Sequence, residues 1–395
     1  MHNSNIIIIF AAQKGINYNI QTMSINPFVL SPAIPDEFFC DRQSESASLI
    51  KSIINQENVV LISPRRVGKT GLIYHCFSQP EVRDNYLTVS IDILHTTSFQ
   101  EFIKELGAAV FNTVAKRSEK LTKLFVTTLR SLSGSFGIDS MTYMPTFDVK
   151  LGQINTPEYT LEEIFNYLEK ADKPCIVAID EFQQVTKYPE GNIEALLRGR
   201  IQKLVNTHFI FAGSERRLMN EMFFSDKRPF FQSATLLQLD PIDLEIYTAF
   251  AVDQFKTAEK KIEAEAVVWA YQMFDGVTMY VHKLLHDCYA DTQAGETCDI
   301  AAMQYAAEQL IQQNAKRLQE LLAYVTEQQK EVLYAIAADR CVSRITSSEF
   351  VKRHHLKSAS AVQSATKRLL DLDLITEQHK SYSISDPLLR IWIVR

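Results

Sequence analysis

Val59-Val60-Leu61-Ile62-Ser63-Pro64-Arg65-Arg66-Val67-Gly68-Lys69-Thr70 is the stretch that decides the fold. Its last eight residues match the phosphate-binding loop pattern G-x-x-x-x-G-K-[ST], except that Ser63 stands at the first glycine. A four-residue apolar strand precedes the loop and a helix opens behind it at Gly71, which is the context that the motif requires. A chance G-K-T is common in a long chain, whereas one between a strand and a helix is much rarer.

The residue types explain how such a loop would hold a nucleotide. Successive backbone N–H groups and the helix N-terminus form a concave site for phosphate oxygens. In this motif the lysine reaches the β and γ phosphates, and the hydroxyl that follows it binds Mg²⁺. Glycine gives the sharpest turn at the first position, so Ser63 departs from the pattern. The residues predicted to contact nucleotide are Ser63, Pro64, Arg65, Arg66, Val67, Gly68, Lys69, Thr70 and Gly71.

The composition indicates the class of protein. A chain of 395 residues with 46% hydrophobic and 22% charged residues is typical of a globular protein with two or three domains. Six scattered cysteines without a C-x-x-C pair favour a reducing cytoplasm over disulfides or zinc. A net charge of −6 argues against nucleic-acid binding by the whole surface, although it is compatible with a local basic patch. No apolar stretch approaches the ~20 residues that span a bilayer, so we expect no membrane partner.

Residues 1–35 are predicted to be an N-terminal extension. Ile6 to Ala12 is an apolar run, but no Lys or Arg precedes it and no small-residue cleavage site follows it. A disordered or strand-forming extension, or a true start at Met23, is therefore favoured over a signal peptide.

Short apolar runs separated by helix-length segments continue after the first strand. They are Tyr86–Ile91, Cys175–Ile179, Phe209–Ala212 and Leu236–Leu239. This alternation of short apolar runs and helix-length segments predicts an α/β core over residues 36–240, with a parallel sheet and crossover helices. Glycine and proline residues interrupt it over 121–158, where we expect an insertion that could contain a hairpin. Residues 241–322 are helical in pattern and are predicted to form a lid.

Polar residues follow two of these strands. Asp180 at a strand end is suited to bind Mg²⁺ opposite the phosphate loop, and the adjacent Glu181 to orient and deprotonate the attacking water. The alternative is a strand that ends in a solvated acidic turn. Ser214 follows the next strand and is the candidate for sensing the γ-phosphate, with an ordinary turn as its alternative. Because the guanine motif N-K-x-D is missing from the sequence, ATP is the expected nucleotide.

These motifs together resemble one known family. The run Ser63–Thr70 with its paired arginines, the Asp180-Glu181 strand and the Gly213-Ser214 strand look like the archaeal-type ATPase family, which belongs among the STAND and AAA-like P-loop ATPases. The similarity covers about residues 36–320 and continues weakly into the tail. The resemblance implies a P-loop fold that binds ATP, without implying a biological task.

The resemblance extends to three segments outside the loop. Phe39-Cys40-Asp41-Arg42 is similar to the family's F-x-G-R element, with Asp41 in place of glycine, and this implies that Arg42 lies near the nucleotide. Arg228-Pro229-Phe230-Phe231 matches a recurring family stretch. Asp275-Gly276-Val277-Thr278 falls where the family often has a G-x-P element that contacts adenine, with Thr278 in place of the proline.

Residues 323–395 carry the pattern of a winged-helix domain. Three short helices are indicated, with Ser347 or Ser348 capping the second and Ser358 capping the third. Two alternating segments around His379-Lys380 are interpreted as a hairpin wing. The closing segment 385–392 resembles that of family members and is expected to pack as a short apolar helix.

The charge of the tail raises DNA as a partner. From residue 340 to 395 there are ten Lys and Arg against five Asp and Glu, the reverse of the whole chain. Lys357, Lys367, Arg368 and Lys380 would lie on or near the surface that reads a DNA major groove in related modules. Winged helices also serve as protein-binding or packing modules, so a protein partner is the alternative.

The leading hypothesis is a Mg²⁺-dependent ATPase that uses its nucleotide state as a conformational switch. Lys69 and a loop arginine would neutralise phosphate charge, and Thr70 and Asp180 would hold the metal. Glu181 would position the water, and turnover is expected to be slow without a partner because no arginine finger in cis can be assigned. The competing hypothesis is a regulator that binds ATP without hydrolysing it and docks its tail on DNA or protein. A small-molecule P-loop kinase is a weaker third hypothesis, and an oligomer is compatible with all three.

Overall fold

The computed structural model of the chain describes residues 25–138, 145–147, 154–378 and 380–395. The strands are β1 (Val59–Ile62), β2 (Leu87–Asp92), β3 (Phe136–Ile138), β4 (Pro145–Phe147), β5 (Cys175–Asp180), β6 (Thr207–Gly213), β7 (Thr235–Gln238), β8 (Lys261–Ile262), β9 (Thr297–Cys298), β10 (Ile375–Gln378) and β11 (Ser381–Ile384). The helices are α1 (Gln43–Ile54), α2 (Lys69–Ser78), α3 (Pro80–Arg83), α4 (Phe99–Arg117), α5 (Glu119–Thr128), α6 (Pro157–Glu169), α7 (Ile193–Ile201), α8 (Arg216–Phe224), α9 (Leu244–Thr257), α10 (Ala264–Met273), α11 (Thr278–Asp291), α12 (Ile300–Ala323), α13 (Glu327–Asp339), α14 (Ser348–Arg353), α15 (Ala359–Asp371) and α16 (Pro387–Val394).

Five strands form one parallel sheet in the order β2-β5-β6-β1-β7. The strand before the phosphate loop, β1, lies inside the sheet and is buried at every residue, as expected where helices cover both faces. The register pairs Ile62 with Gly213 and Asp92 with Asp180, so the carboxyl ends of the strands meet at one edge. The four further strands predicted from the sequence are confirmed as β2, β5, β6 and β7.

Side chains of β1 alternate between the two faces of the sheet. Val60 and Ile62 belong to one buried apolar cluster, together with residues of α4, α6 and α7. Val59 and Leu61 belong to another cluster, which includes residues of α1 and α2. Helices therefore pack on both faces, and the α/β class predicted from the sequence is confirmed.

A hairpin is present in the segment where the sequence suggested one. Strands β3 and β4 pair antiparallel, and the insertion also contains most of α5. Most of the alternating stretch 147–151 lies outside the described residues, as do the residues between the two strands.

Helices α9 to α12 and the C-terminal elements share one buried apolar cluster. It extends from Ile242 to Leu389 and also includes Phe28 and Cys40 from the segment before α1. The two clusters of the sheet core are separate from it. The predicted lid and winged-helix domain thus pack on each other, and the boundaries at 35/36, 240/241 and 322/323 stay predictions.

The C-terminal elements follow the winged-helix pattern. The Ser347 side chain accepts a hydrogen bond from the backbone of Phe350 at the start of α14, and Ser358 accepts one from Ala361 at the start of α15. Strands β10 and β11 form the wing, and α16 is the predicted closing helix. His379 of the predicted wing lies outside the described residues, as do residues 1–24.

Two further observations bear on the class of the protein. Five of the six cysteines are buried, as predicted for small apolar side chains, and Cys341 is exposed. None of the helices in the described ranges combines the length and apolarity that a membrane span needs. The cytoplasmic location stays a prediction.

Candidate functional site

The loop between β1 and α2 is tied to the sheet by its first residue. Ser63 is fully buried, and its backbone N–H donates to the carbonyl of Gly213 at 3.3 Å. Left-handed backbone occurs later in the loop, at Arg66 with φ of 66° and at Gly68 with φ of 98°, but not at Ser63. Position 63 therefore does not require glycine, and this explains why the loop accepts serine there.

Two acids at the end of β5 face the first turn of α2. Lys69 Nζ lies 2.9 Å from Asp180 Oδ1 and 3.0 Å from Glu181 Oε1. These side chains are at most 14% exposed, so solvent screens the ion pairs only weakly. The structure thus brings together the lysine and both acids that the sequence assigned to one site.

The Thr70 hydroxyl and the Asp180 carboxylate form an oxygen pair that suits Mg²⁺. The hydroxyl donates to Asp180 Oδ2 at 2.6 Å, and the backbone N–H of Glu181 donates to Asp180 Oδ1 at 2.9 Å. Mg²⁺ takes oxygen ligands and is commonly held by one or two carboxylates beside substrate phosphates. The donor set therefore fits the metal that the sequence analysis expected.

The Glu181 carboxylate is held in place from several sides. Its backbone is left-handed, with φ of 56°, and its Oε2 accepts hydrogen bonds from Gln183 at 2.6 Å and from Ser214 at 2.8 Å. Burial by itself would raise the pKa of the Glu181 carboxyl, but the Lys69 charge and these hydrogen bonds outweigh it and hold the pKa below its usual value. Glu181 is therefore ionised at neutral pH.

Gln183 is a site residue that was not identified from the sequence. Its side chain is buried to 1% exposure, and its Oε1 has no hydrogen-bond partner among the described residues. It lies in a short 3-10 helix, Phe182–Lys187, whose neighbouring residues Phe182 and Val185 are buried and apolar. The signal in the sequence is an amide two positions after Glu181, in a turn whose apolar residues Phe182 and Val185 are both buried.

Gly213 leaves no room for a side chain at the end of β6. An added Cβ would lie 2.5 Å from Met219 Sδ and 2.6 Å from Gln183 Oε1, and both residues are buried. We expect Gly213→Ala to destabilise the protein by about 1–3 kcal/mol and to push Gln183 away from Glu181.

A matched control lies in α7. An added Cβ at Gly199 would meet no atom within 4 Å, so Gly199→Ala is expected to be neutral or slightly stabilising. Thermal unfolding of the two variants measures the difference. Equal melting temperatures would contradict the close packing described at Gly213.

Arg42 braces the phosphate loop. Its guanidinium donates to the carbonyl of Val67 at 3.1 Å and to the carbonyl of Asp240 at 2.7 Å, and the residue is 5% exposed. The family resemblance implied that Arg42 lies near the nucleotide, and the structure places it against the loop that would bind one. A direct contact with nucleotide stays a prediction.

The segment that the resemblance linked to adenine also contacts the loop. The backbone N–H of Met279 donates to the carbonyl of Arg66 at 3.0 Å, and the Thr278 hydroxyl lies 3.5 Å from the carbonyl of Val67. Gly276 is left-handed, with φ of 69°, just before α11. The start of α11, within the predicted lid, therefore lies directly beside the loop, and the contact with adenine that the resemblance implies stays untested.

Arg65 connects the loop with the C-terminal domain. Its Nη1 lies 2.5 Å from Asp373 Oδ2, and its Nε donates to the Ser214 hydroxyl at 3.4 Å. Asp373 follows α15 and belongs to the winged-helix region. Arg65 therefore contacts both Ser214, the predicted γ-phosphate sensor, and the Asp373 carboxylate of the winged-helix region.

Arg66 makes a second connection of the same kind. Its Nη1 lies 2.5 Å from Asp386 Oδ2 and donates to the Tyr280 hydroxyl at 2.6 Å. The Tyr280 hydroxyl in turn donates to Asp386 Oδ1 at 2.7 Å. No site role was assigned to Tyr280, Asp373 or Asp386 from the sequence, because nothing local marks a contact with loop arginines that lie 214 to 320 residues away.

The four basic residues predicted to meet DNA all have exposed side chains. Lys367 on α15 and Lys380 on the wing line a cleft of about 1140 Å³ between the winged-helix region and α8 of the core. Lys357 and Arg368 do not line this cleft. The structure therefore brings Lys367 and Lys380 together, on the face of the winged-helix region that is nearest to the core.

Comparisons with known proteins support this architecture. A family model described as "Probable winged helix domain" matches residues 316–395. A Walker-type ATPase of Pyrococcus abyssi is similar in structure, with 20% identity and a TM-score of 0.66 over 93% of this chain and 100% of that chain. The ORC2 protein of Aeropyrum pernix, in ADPNP–ADP complexes, is 11% identical with a TM-score of 0.54 over 89% and 93%. No match was found among curated protein sequences.

The chain has a P-loop ATPase fold with a C-terminal winged-helix domain. The fold class predicted from the sequence is confirmed, and the resemblance to archaeal-type ATPases is confirmed at the level of the fold. Assignment to the STAND or AAA-like groups stays a prediction.

Proposed function

We propose that this protein binds ATP with Mg²⁺, hydrolyses it to ADP and phosphate, and uses its nucleotide state as a conformational switch. The observation that carries the proposal is the ion-pair cluster in which Lys69 lies within 3.0 Å of both Asp180 and Glu181. A phosphate loop alone supports only binding. A second, ionised carboxylate beside the loop lysine adds a candidate base, which hydrolysis needs.

Substrate binding would use the loop and the first turn of α2. The loop amides and the positive end of α2 attract phosphate oxygens. Lys69 would exchange its carboxylate partners for the β and γ phosphates, and Arg65 and Arg66 would add positive charge. When bound beside Thr70 and Asp180, Mg²⁺ supplies further neutralisation of the phosphate charge.

Glu181 would act as the base in the hydrolytic step. The oxygen of a water held by its carboxylate attacks the γ-phosphorus, and the proton of that water passes to Glu181. The bond between the γ-phosphorus and the bridging oxygen breaks, and that oxygen leaves with ADP. Gln183 and Ser214 fix the direction of the carboxylate through their hydrogen bonds to Oε2.

Phosphate release from ATP at controlled Mg²⁺ concentrations tests this proposal. Asp180→Asn is expected to lower the rate by about 100-fold, because a metal ligand and part of its charge are lost. Asp92→Asn is a matched control, since Asp92 ends the neighbouring strand and pairs with Asp180 in the register. It should leave the rate unchanged. A wild-type chain without Mg²⁺-dependent phosphate release would contradict the proposal.

A second candidate function is docking of the winged helix on DNA. Lys367 and Lys380 are exposed and make no ion pair with any residue that the structure describes, so a phosphate that enters the cleft would meet two cations without such a partner. Lys357 and Arg368 are candidates for the same role, and a protein partner stays the alternative.

Turnover of ATP with and without duplex DNA, at two salt concentrations, separates these partners. We expect stimulation by DNA that weakens as salt rises, because binding to phosphates releases counterions. The double variant Lys367→Ala/Lys380→Ala should lose the stimulation, and Lys51→Ala, which removes an exposed cation on α1, should keep it. An unchanged rate with DNA would leave a protein as the better partner.

A further inference from the structure

Both arginines of the phosphate loop are paired with carboxylates of the winged-helix domain. Arg65 pairs with Asp373, and Arg66 pairs with Asp386, each at 2.5 Å. The guanidinium group has a planar set of donors that suits carboxylate and phosphate equally well. The same two side chains are therefore available either to the tail or to a triphosphate.

The contact between the winged-helix domain and the core is largely ionic. The apolar residues of that domain belong to the cluster that it shares with the lid, and the sheet core has its own clusters. A cleft of about 1140 Å³ lies between the winged-helix domain and the core. A third ion pair between them, Arg217 with Glu377 at 4.0 Å, lines this cleft. Partly exposed ion pairs contribute little to stability, so a polyanion can displace them.

The surroundings of Asp373 make its pairing sensitive to added negative charge. Burial raises the pKa of the Asp373 carboxyl, Arg65 opposes this, and the negative charges of Glu215 and Glu181 raise the pKa further. Arg65 is thus the cation that contributes most to keeping the Asp373 carboxylate ionised. Phosphate groups at the loop would attract Arg65 and repel Asp373 at the same time.

We propose that the triphosphate of ATP competes with the two winged-helix carboxylates for Arg65 and Arg66, so that ATP binding releases the winged-helix domain from the phosphate loop. This inference rests on the ATP binding proposed above and does not need hydrolysis. Because coupling is reciprocal, removing the carboxylates must tighten ATP binding. Release would also open the cleft side of α15, where Lys367 lies.

Binding of the non-hydrolysable analogue ADPNP with Mg²⁺ tests the competition. The double variant Asp373→Asn/Asp386→Asn should bind it about 5-fold or more tightly than the wild type. Asparagine at 386 can still cap α16, where the aspartate now accepts from the N–H of Leu388, so the helix is retained. Glu377→Gln is the matched control, because it weakens a core–tail ion pair without freeing a loop arginine, and its affinity should stay within about twofold of wild type.

Hydrogen exchange of the amides in α15 and the wing gives the second measurement. In the wild type the analogue should speed exchange there, and in the double variant exchange should already be fast without it. Equal affinities of wild type and double variant would overturn the proposal, and so would an equal gain in the Glu377→Gln control. If neither chain binds the analogue, the proposed function itself fails. If the double variant unfolds, each single variant is measured in the same way.

Discussion

Lys69→Ala is expected to weaken ATP binding by at least about 30-fold and also to destabilise the folded protein. The loss of affinity follows because removing one partner of a desolvated charge pair costs about 2 kcal/mol or more. The loss of stability follows from the structure, since Lys69 is the shared counter-charge of Asp180 and Glu181. Without it two poorly exposed carboxylates face each other, which costs about 3 kcal/mol for a buried pair.

A double variant separates the two effects of Lys69→Ala. Adding Glu181→Gln removes one of the unpaired charges, so part of the lost stability should return while ATP binding stays weak. Titration calorimetry measures the affinity, and urea unfolding measures the stability. Additive stability losses would mean that Lys69 and Glu181 do not interact, and wild-type affinity in Lys69→Ala would remove it from the phosphate site.

The residues of the candidate site that follow a strand end were predictable from the sequence. Asp180 and Ser214 each come directly after a buried apolar run, and parallel strands bring such positions to one edge. Helix caps such as Ser347 and Ser358 were predictable for a similar reason, because a cap depends on residues three positions apart. In both cases the controlling interaction is local or follows from strand order.

Contacts between distant segments were not predictable. An apolar pattern shows which face of a helix is buried but not what covers it, so the shared core of lid and winged helix was missed. The pairing of Arg65 with Asp373 depends on the placement of two domains, and neither residue has a local signal for it. Ser63 could not be judged from the sequence for another reason. Whether serine is tolerated at a glycine position depends on the backbone φ angle there, which the sequence does not give.

Glu181→Gln is expected to leave ATP binding nearly intact and to slow hydrolysis by about 100-fold or more. Glutamine keeps the size of the side chain but cannot accept the proton of the attacking water, and general-base catalysis contributes about 10²–10⁴ in rate. The lowered pKa of Glu181 keeps the carboxylate ionised at neutral pH, so the wild-type rate should not fall on the acid side until well below pH 7. Glu215→Gln is a matched control, because Glu215 is a nearby acid that pairs with Lys187 instead of Lys69.

The most direct test of the account is phosphate release from Mg²⁺-ATP in a single turnover, measured for the wild type and Glu181→Gln with the nucleotide bound in both. The account predicts phosphate release by the wild type and a rate lower by about 100-fold or more in Glu181→Gln. Equal rates in the two proteins would contradict it, because the residue that the geometry identifies as the base would then take no part in hydrolysis.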